Sequence, residues 1–413
     1  MSFDWTELDT DWADARKIGE QLREVFSSWG YSEVGLSTLL GHETFREWND
    51  LWGDLYKVID ERGRVLFLKP DMTVPIAQRA GTKWQQLQRP LRICYLSRLF
   101  CRPGQRRIVS EREFLQAGVE LIGESSPQAD AEMIAMAWDA LEQLGFDNMQ
   151  VNVGDMAVLE AVLKQMGFAE DKLQQMITAL RNRDLVTINQ QLGDKDNLKN
   201  LLLPSGDMPR CDDVVDELFA EGVSGESVDR LQRMLGYLTA YLPEDSFRLD
   251  LSLVREMPYY TGSIFEIYCC ESGEVLAGGG RYDQLIGHFG PPEEAVGFAV
   301  NLDVVVGLVS TRQKKDKPQR PSCIVIGSQK RAKKSVEVGR KLRRRSIPTV
   351  IRLFEQLPTV DSAASCARER GFDRMIMVGD SGEQQTISLI PGEISEPAVD
   401  DCSDFVRVPD GRH

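Results

Sequence analysis

The sequence predicts an α+β fold: an antiparallel sheet flanked by helices, interrupted by a helical insertion and followed by a small α/β domain. Three observations lead to this prediction. Strand-like stretches cluster within about the first 120 residues and return near residue 248. Between them, residues 157–245 carry apolar residues mostly at helical spacing. Beyond residue 322, strand-like and helix-like segments alternate, which favours a small, mainly parallel sheet.

The first part of the chain alternates helix and strand signals. Ile18, Leu22 and Val25 share one side of a helix that Gly30 ends, and Gly145 ends a second helix entered through Pro127. In order, we predict a helix over 13–29, a short strand around 31–34, two strands within 54–73 joined by a turn at 61–63, a strand pair over 91–100 and 112–121, and a helix over 127–145.

Strand character returns over 247–256, 259–269 and 275–279, and the stretch 295–309 begins as a strand and ends as a helix. Charged, proline-bearing residues without periodicity then indicate a linker. We therefore divide the chain into a core over 1–156 and 246–310, a helical insertion over 157–245, a linker over 311–322, and a small α/β domain with its tail over 323–413.

Composition narrows the function classes. The 413 residues carry a formal net charge of −15, which disfavours wrapping a nucleic-acid backbone, although residues 330–345 form a locally basic helix. Eight scattered cysteines without a Cys-x-x-Cys pair, and only three histidines, argue against a zinc site or a Ser-His-Asp triad. The start of the chain lacks signal-peptide features and no apolar run suffices for a membrane span. We expect a cytoplasmic protein without a metal or cofactor.

One glycine-rich stretch, "LAGGGRYDQLIGHFG" from Leu276 to Gly290, raises the question of nucleotide binding. It lacks the Gly-Lys-Ser/Thr ending of a phosphate-binding P-loop, and it follows strands predicted to be antiparallel. The glycines are therefore expected to permit close backbone approach to a small ligand rather than to hold phosphate.

Several further motifs occur in a specific order: "FLKPDMT" (67–73), "REFLQAGVELIG" (112–123), "LVREMPYYTGSIFE" (253–266), "GGGRYDQL" (278–285) and "AVGFAVNLD" (295–303). Together they resemble the catalytic core of histidyl-tRNA synthetase over about residues 10–310. The resemblance implies the class II aminoacyl-tRNA synthetase fold. It also suggests that the last domain corresponds to a reduced anticodon-binding domain.

The resemblance places a histidine pocket on this chain. Carboxylates at Asp71 and Glu120 suit an ammonium or imidazole N–H, and Arg255 suits a carboxylate. Taken singly, each residue is more readily explained as a cap, a sheet residue or a surface ion pair. The joint match to one family's pocket reverses this preference in favour of binding. The histidine-binding residues implied are Asp71, Thr73, Gln116, Glu120, Arg255, Tyr259 and Tyr260, with Gly278, Gly279, Gly280 and Arg281 as a pocket loop.

The residues that would bind ATP depart from the synthetase pattern. The arginine expected in the second motif falls on Cys101, although Arg98 or Arg102 could replace it after a shift of register. In the third motif the expected glutamate and arginine are Asp303 and Val304, and no arginine lies between Arg281 and Arg312. Neutral residues cannot stabilise the charge that develops on the α-phosphate.

A retained histidine pocket without ATP-binding arginines resembles the regulatory subunits of ATP phosphoribosyltransferase. That resemblance implies no catalytic residues, a hetero-oligomer with the short-form catalytic subunit, self-association as a dimer and L-histidine as allosteric effector. It also implies no tRNA aminoacylation. An active but divergent histidyl-tRNA synthetase is the alternative, supported by the basic helix. A stand-alone amino-acid-sensing module is a third, but it would normally be joined to a further domain such as a kinase.

Overall fold

A computed structural model describes residues 11–45, 55–100, 113–192, 200–203, 210–255, 257–313 and 323–390. The chain forms two compact units, Met1–Gln313 and Lys314–His413. Along the described part of the chain, no helix combines the length and the apolar character needed to span a membrane.

The first unit is built on an eight-stranded sheet and a separate three-stranded sheet. The large sheet has the order β1-β5-β6-β11-β10-β9-β7-β8, and all its pairs are antiparallel except β1–β5 and β7–β8. The small sheet has the order β2-β4-β3. The strands are β1 (Ser32–Glu33), β2 (Leu39–Gly41), β3 (Lys57–Ile59), β4 (Val65–Leu68), β5 (Leu91–Phe100), β6 (Glu113–Ile122), β7 (Met149–Asp155), β8 (Phe247–Leu249), β9 (Ser263–Cys269), β10 (Val275–Arg281) and β11 (Ala295–Asn301).

Nine helices of the described first unit surround these sheets. They are α1 (Asp11–Ser28), α2 (Thr73–Gly81), α3 (Pro127–Glu142), α4 (Met156–Gln165), α5 (Glu170–Asn182), α6 (Leu185–Leu192), α7 (Cys211–Ala220), α8 (Glu226–Tyr241) and α9 (Leu302–Gln313). The predicted ends of α1 and α3 are confirmed: Gly30 and Gly145 follow them with φ of 86° each, a left-handed conformation that glycine adopts at low cost.

The sheet separates a helix-packed face from a ligand-accessible face. On β6, Ala117, Val119 and Leu121 are buried in the main hydrophobic core, to which α1 and α3 also contribute. Gln116 and Glu120, which alternate with these residues along the strand, line a cavity. Because successive strand side chains point to opposite faces, the apolar alternation of β6 fixes which residues reach that cavity.

In the described part of the predicted insertion, 157–245, the chain forms α4 to α8, and α8 contacts α3 of the core. Strand β7, which directly precedes it, is absent from the sequence-based prediction. The predicted strand 247–256 is wrong beyond Leu249, because Asp250 accepts hydrogen bonds from the backbone N–H and the hydroxyl of Ser252 and forms a turn.

Composition alone also misplaces the start of the linker. Residues 311–313 continue α9, since no glycine or proline interrupts the helix between Gly307 and Pro318. Residues 314–322 lie outside the described part of the chain.

The second unit is a small α/β sheet with a helix on each face. Its parallel strands are confirmed, and an antiparallel edge strand, β15, is an additional element. The sheet order is β13-β12-β14-β15. Its elements are β12 (Cys323–Ser328), α10 (Ala332–Arg344), β13 (Thr349–Phe354), α11 (Val360–Glu369), β14 (Arg374–Val378) and β15 (Gln384–Ser388). The predicted tail after residue 390 lies outside the described residues.

Candidate functional site

A cavity of about 710 Å³ opens on the face of the large sheet that α1 and α3 leave uncovered. The residues predicted to bind histidine all line it: Asp71, Thr73, Gln116, Glu120, Arg255, Tyr259 and Tyr260. Three segments far apart in sequence therefore converge on one volume. Whether histidine occupies it remains a prediction.

The first segment joins the small sheet to α2. Asp71 follows β4 and accepts a hydrogen bond from Val74 N at 2.9 Å, which satisfies a free N–H in the first turn of α2. Thr73 is the first residue of that helix. Both side chains are buried, so the helix start holds a carboxylate and a hydroxyl in fixed positions inside the cavity wall.

Glu120 is the central acid of the site and is only 1% exposed. Thr73 Oγ1 donates to its Oε1 at 2.7 Å, and the Tyr282 hydroxyl donates to its Oε2. Burial raises the pKa of Glu120 to about 8, against the lowering effect of these two hydrogen bonds, and the charge of Asp71 raises it further. A cationic ligand group beside Glu120 would favour the ionised carboxylate.

Aromatic rings form one wall of the cavity. Tyr259 packs against Tyr260 with ring centroids 4.9 Å apart and against Tyr282 at 5.7 Å in an edge arrangement. The Tyr95 hydroxyl donates to Oε1 of Gln116 at 3.1 Å, which fixes the amide orientation. This wall gives an imidazole-sized ring apolar faces with polar atoms at its edges.

Arg255 approaches the cavity from the loop between β8 and β9. Its Nη1 donates to Glu266 Oε1 at 3.0 Å and to the carbonyl of Phe265 at 3.3 Å, and the Tyr268 hydroxyl donates to Glu266. Burial opposes the charge of Arg255, but neighbouring Tyr260 and Glu266 keep its pKa above the usual value. The guanidinium therefore stays charged, and its hydrogen bonds hold it in place at the cavity wall.

The predicted pocket loop is wrong in form. Gly278, Gly279 and Gly280 belong to strand β10, paired with β9 and β11, rather than to a loop. Gly278 lines the cavity, where a Cβ would overlap Nη1 of Arg255 and lie 2.8 Å from the Phe265 carbonyl. The bare backbone thus makes room for Arg255, as close packing in a strand requires.

Arg281, also assigned to the pocket, is instead buried elsewhere. Its Nε donates to Asp130 Oδ1 at 2.7 Å, and its Nη1 donates to the Glu124 carbonyl at 3.1 Å and to Asp283 at 3.0 Å. Arg230 of α8 pairs the other oxygen of Asp130 at 2.6 Å. Arg281 therefore ties β10 to α3 and, through Asp130, to the insertion.

Sequence reasoning missed four residues that shape the site: Tyr95, Glu266, Tyr282 and Gly297. Tyr282 directly follows Arg281 in the glycine-rich stretch, so the same motif could have predicted it as a site residue. Gly297 lies opposite Glu120 on β11, and its role depends on strand register, which no local pattern reveals.

Gly297→Ala is expected to lower the free energy of unfolding by about 1–3 kcal/mol, the usual cost of overpacking. A Cβ there would overlap the Glu120 carboxylate and lie 2.5 Å from the Val119 carbonyl oxygen. Urea unfolding measures the change. Gly236→Ala is the matched control, because nothing lies within 4 Å of its added Cβ in helix α8, so that variant should be neutral or slightly stabilised. Equal stabilities for the two variants would contradict the packing of Glu120 on Gly297.

The departures from the ATP-binding pattern fall partly on described residues. Asp303 and Val304 begin α9, and neither belongs to the cavity lining of the described chain. Cys101 lies outside the described residues. Within the described ranges, no cluster of three or more His, Cys, Asp or Glu side chains is arranged to hold a metal ion. The described cavity lining carries carboxylates at Asp71 and Glu120 and a guanidinium at Arg255.

Folding stability is expected to fall as pH rises from about 5 to about 8, in part through Glu120. The pKa of Glu120 is about 8 in the folded protein and 4.5 ordinarily, so the folded state holds the proton more tightly. The stability gained from this is fully present below pH 4.5 and is lost as pH rises through 8. The slope for one such group is about 1.4 kcal/mol per pH unit. Asp155, with a pKa raised to about 7 by burial, acts in the same direction.

The contribution of Glu120 is isolated by comparing wild type with Glu120→Gln, which stays neutral at every pH. Urea unfolding is measured at several pH values in the absence of histidine. Between about pH 5 and 8, the free energy of unfolding of Glu120→Gln should rise relative to that of wild type by about 1.4 kcal/mol per pH unit. A pH-independent difference would show that Glu120 titrates near its ordinary pKa.

This sheet topology is that of a protein of the class II aminoacyl-tRNA synthetase type. The histidyl-tRNA synthetase family profile matches residues 7–305. An ATP phosphoribosyltransferase regulatory subunit from Desulforamulus reducens is 32% identical over 91% of this chain and 94% of its own length. The chain belongs to the family of ATP phosphoribosyltransferase regulatory subunits, a branch related to the histidyl-tRNA synthetases.

Two further relatives show the breadth of this similarity. The crystal structure of an ATP phosphoribosyltransferase regulatory subunit/histidyl-tRNA synthetase from Bacillus halodurans superposes with a TM-score of 0.76 at 27% identity, covering 92% of this chain and 97% of that one. A histidine--tRNA ligase from Pyrococcus furiosus is 29% identical over 97% of this chain and 96% of its own length. The predicted fold class is confirmed.

Proposed function

We propose that this protein is a non-catalytic regulatory subunit of ATP phosphoribosyltransferase that binds L-histidine. It would act with a separate short-form catalytic subunit in the first step of histidine biosynthesis and make that step responsive to histidine. The observation that carries the proposal is a contrast between two parts of the same fold. The cavity has the polar groups that suit an amino acid, while the third motif has Asp303 and Val304 in place of glutamate and arginine.

The physical basis of such regulation is differential binding. A ligand shifts an equilibrium between two states only by its difference in affinity for them, typically about 1–3 kcal/mol. Glu120 and Arg255 suit that role, because Glu120 is buried, Arg255 is partly buried, and both are held by other side chains before a ligand arrives. The names of the regulatory-subunit relatives support the partner.

The direct test mixes the purified protein with the short-form catalytic subunit of the same organism and follows product formation from ATP and phosphoribosyl pyrophosphate. Product formation should rise on mixing, the two proteins should co-elute, and added histidine should suppress the gain. No gain together with no co-elution would contradict the partner assignment. A gain that ignores histidine would contradict the effector role.

The second candidate is an active histidyl-tRNA synthetase, favoured by the similarity to the Pyrococcus furiosus ligase. Incubating the protein with ATP, histidine and cognate tRNA separates the two. We expect no histidyl-tRNA under conditions in which an authentic histidyl-tRNA synthetase charges the same tRNA. Charging at comparable rates would replace the regulatory proposal.

A further inference from the structure

The helical insertion supplies part of the cavity wall, so the cavity extends beyond the predicted amino-acid pocket. This insertion side consists of residues of α5, α6 and the segments next to them: Leu180, Arg181, Arg183, Leu185, Ile188 and Leu203. The sheet side opposite contributes polar residues outside the predicted histidine set, among them Asn152, Asp250, Ser252 and Tyr268. A cavity of about 710 Å³ lies in the range of about 300–1,000 Å³ that is typical of small-molecule and cofactor sites.

The three arginines that line the cavity differ in how their charge is balanced. Arg255 pairs with Glu266 at 3.0 Å. Arg183 lies close enough to Asp250 for its positive charge to lower the pKa of that carboxyl, which burial raises. The Asp250 carboxylate therefore serves as a counter-charge for Arg183. Within the described part of the chain, the Arg181 side chain forms no hydrogen bond or ion pair, and its Nε is fully buried without a partner.

An unpaired, partly buried guanidinium is costly, because burial without a counter-charge loses hydration and gains nothing in return. Burial indeed lowers the pKa of Arg181. The planar N–H fork of arginine matches phosphate and carboxylate oxygens, so an oxyanion in the cavity would remove the cost. Carboxylate, amide and hydroxyl groups at Asp250, Asn152 and Ser252 are suited to the hydroxyl groups of the same ligand.

We propose that the insertion side of the cavity is a second ligand site, in which Arg181 binds the phosphate of a small phosphorylated molecule that also carries hydroxyl groups. The site is separate from the predicted histidine residues, so the proposal does not rest on histidine binding. It gives the insertion a ligand-binding role and lets two small molecules be sensed in one cavity.

Calorimetric titration of the full-length protein with ribose 5-phosphate tests the proposal, with ribose and inorganic phosphate as partial probes. We expect ribose 5-phosphate to bind, ribose to bind far more weakly, and Arg181→Gln to weaken ribose 5-phosphate binding by about tenfold to a hundredfold, as expected for losing a charged hydrogen bond. Arg233→Gln is the matched control: an exposed arginine on α8 of the same insertion, which should keep wild-type affinity.

Thermal unfolding of Arg181→Gln should show a stability no lower than wild type, which separates lost binding from lost fold. Absence of ribose 5-phosphate binding, or equal affinity in Arg181→Gln, overturns the second site. Loss of histidine binding in Arg181→Gln without any phosphate binding also overturns it, and assigns Arg181 to the amino-acid carboxylate. Intact histidine binding without phosphate binding refutes this site alone and leaves the proposed function standing.

Discussion

Glu120→Gln is expected to weaken histidine binding by about 30-fold to several-thousand-fold, corresponding to about 2–5 kcal/mol for removing one partner of a buried charge pair. The amide keeps the shape of the side chain and one oxygen that accepts the bond from Thr73 or Tyr282. It cannot become negative, so the ligand ammonium or imidazolium would be buried without a counter-charge. Loss of affinity is therefore expected without loss of fold.

Calorimetric titration at pH 8 measures this effect, because wild-type Glu120 is about half ionised there even before ligand arrives. Glu113→Gln provides the control: this residue begins the same strand, but it is exposed and pairs with Arg98 outside the cavity. It should bind histidine as wild type does. Equal affinity in Glu120→Gln and wild type would show that the amino acid lies elsewhere.

The pH dependence of binding follows from the same group. Below pH 8 the free carboxyl is mostly protonated, and binding a cationic ligand must first remove that proton. Histidine affinity should therefore rise between about pH 6.5 and 8 in wild type, and the rise should be smaller in Glu120→Gln. The raised pKa of Glu120 therefore affects both histidine affinity and folding stability over the same pH range.

The sequence predicted the fold where local signals agreed with tertiary packing. Alternation in β6 and the glycines after α1 and α3 report directly on backbone conformation, so those elements fall where expected. Strand β7 was missed although Met149, Val151 and Val153 alternate with polar residues there, because the alternation covers only five residues before Gly154 and Asp155. Strand β15, "QQTIS", was also missed, because it is mostly polar. It lies at the edge of its sheet, where one side of the strand faces solvent.

The candidate site shows the same division. Asp71, Gln116, Glu120 and Arg255 were placed from motifs, and the structure brings them into one cavity. The role of Gly297 depends on which residue of β6 it faces across the sheet, and that register is fixed by long-range pairing. Unpaired charge on Arg181 is likewise invisible in sequence, because it depends on what surrounds the residue after folding.

Arg281 is the sharpest case, because its motif places it in the pocket and its contacts place it in a buried ion-pair cluster. Arg281 and Asp130 are each only 2% exposed, and Asp130 also binds Arg230. Within the described chain, removing Arg281 leaves Arg230 as the one cation beside the buried Asp130, and breaking a buried pair typically costs about 3–5 kcal/mol. A role in the pocket predicts a different outcome, namely weaker histidine binding at unchanged stability.

Arg281→Ala is therefore expected to lower the free energy of unfolding by about 3–5 kcal/mol, measured by urea unfolding, while the folded fraction keeps wild-type histidine affinity. Arg16→Ala controls for removing any arginine from an ion pair: Arg16 pairs with Glu20 on the surface of α1, with side chains 71% and 52% exposed, and should change stability by less than about 0.5 kcal/mol. The double variant Arg281→Ala/Asp130→Ala should cost less than the sum of the two single variants, because neither leaves the other's charge behind. If the losses of stability in the two single variants simply add in the double variant, the ion pair does not explain them. If Arg281→Ala instead loses histidine affinity at wild-type stability, Arg281 belongs to the pocket.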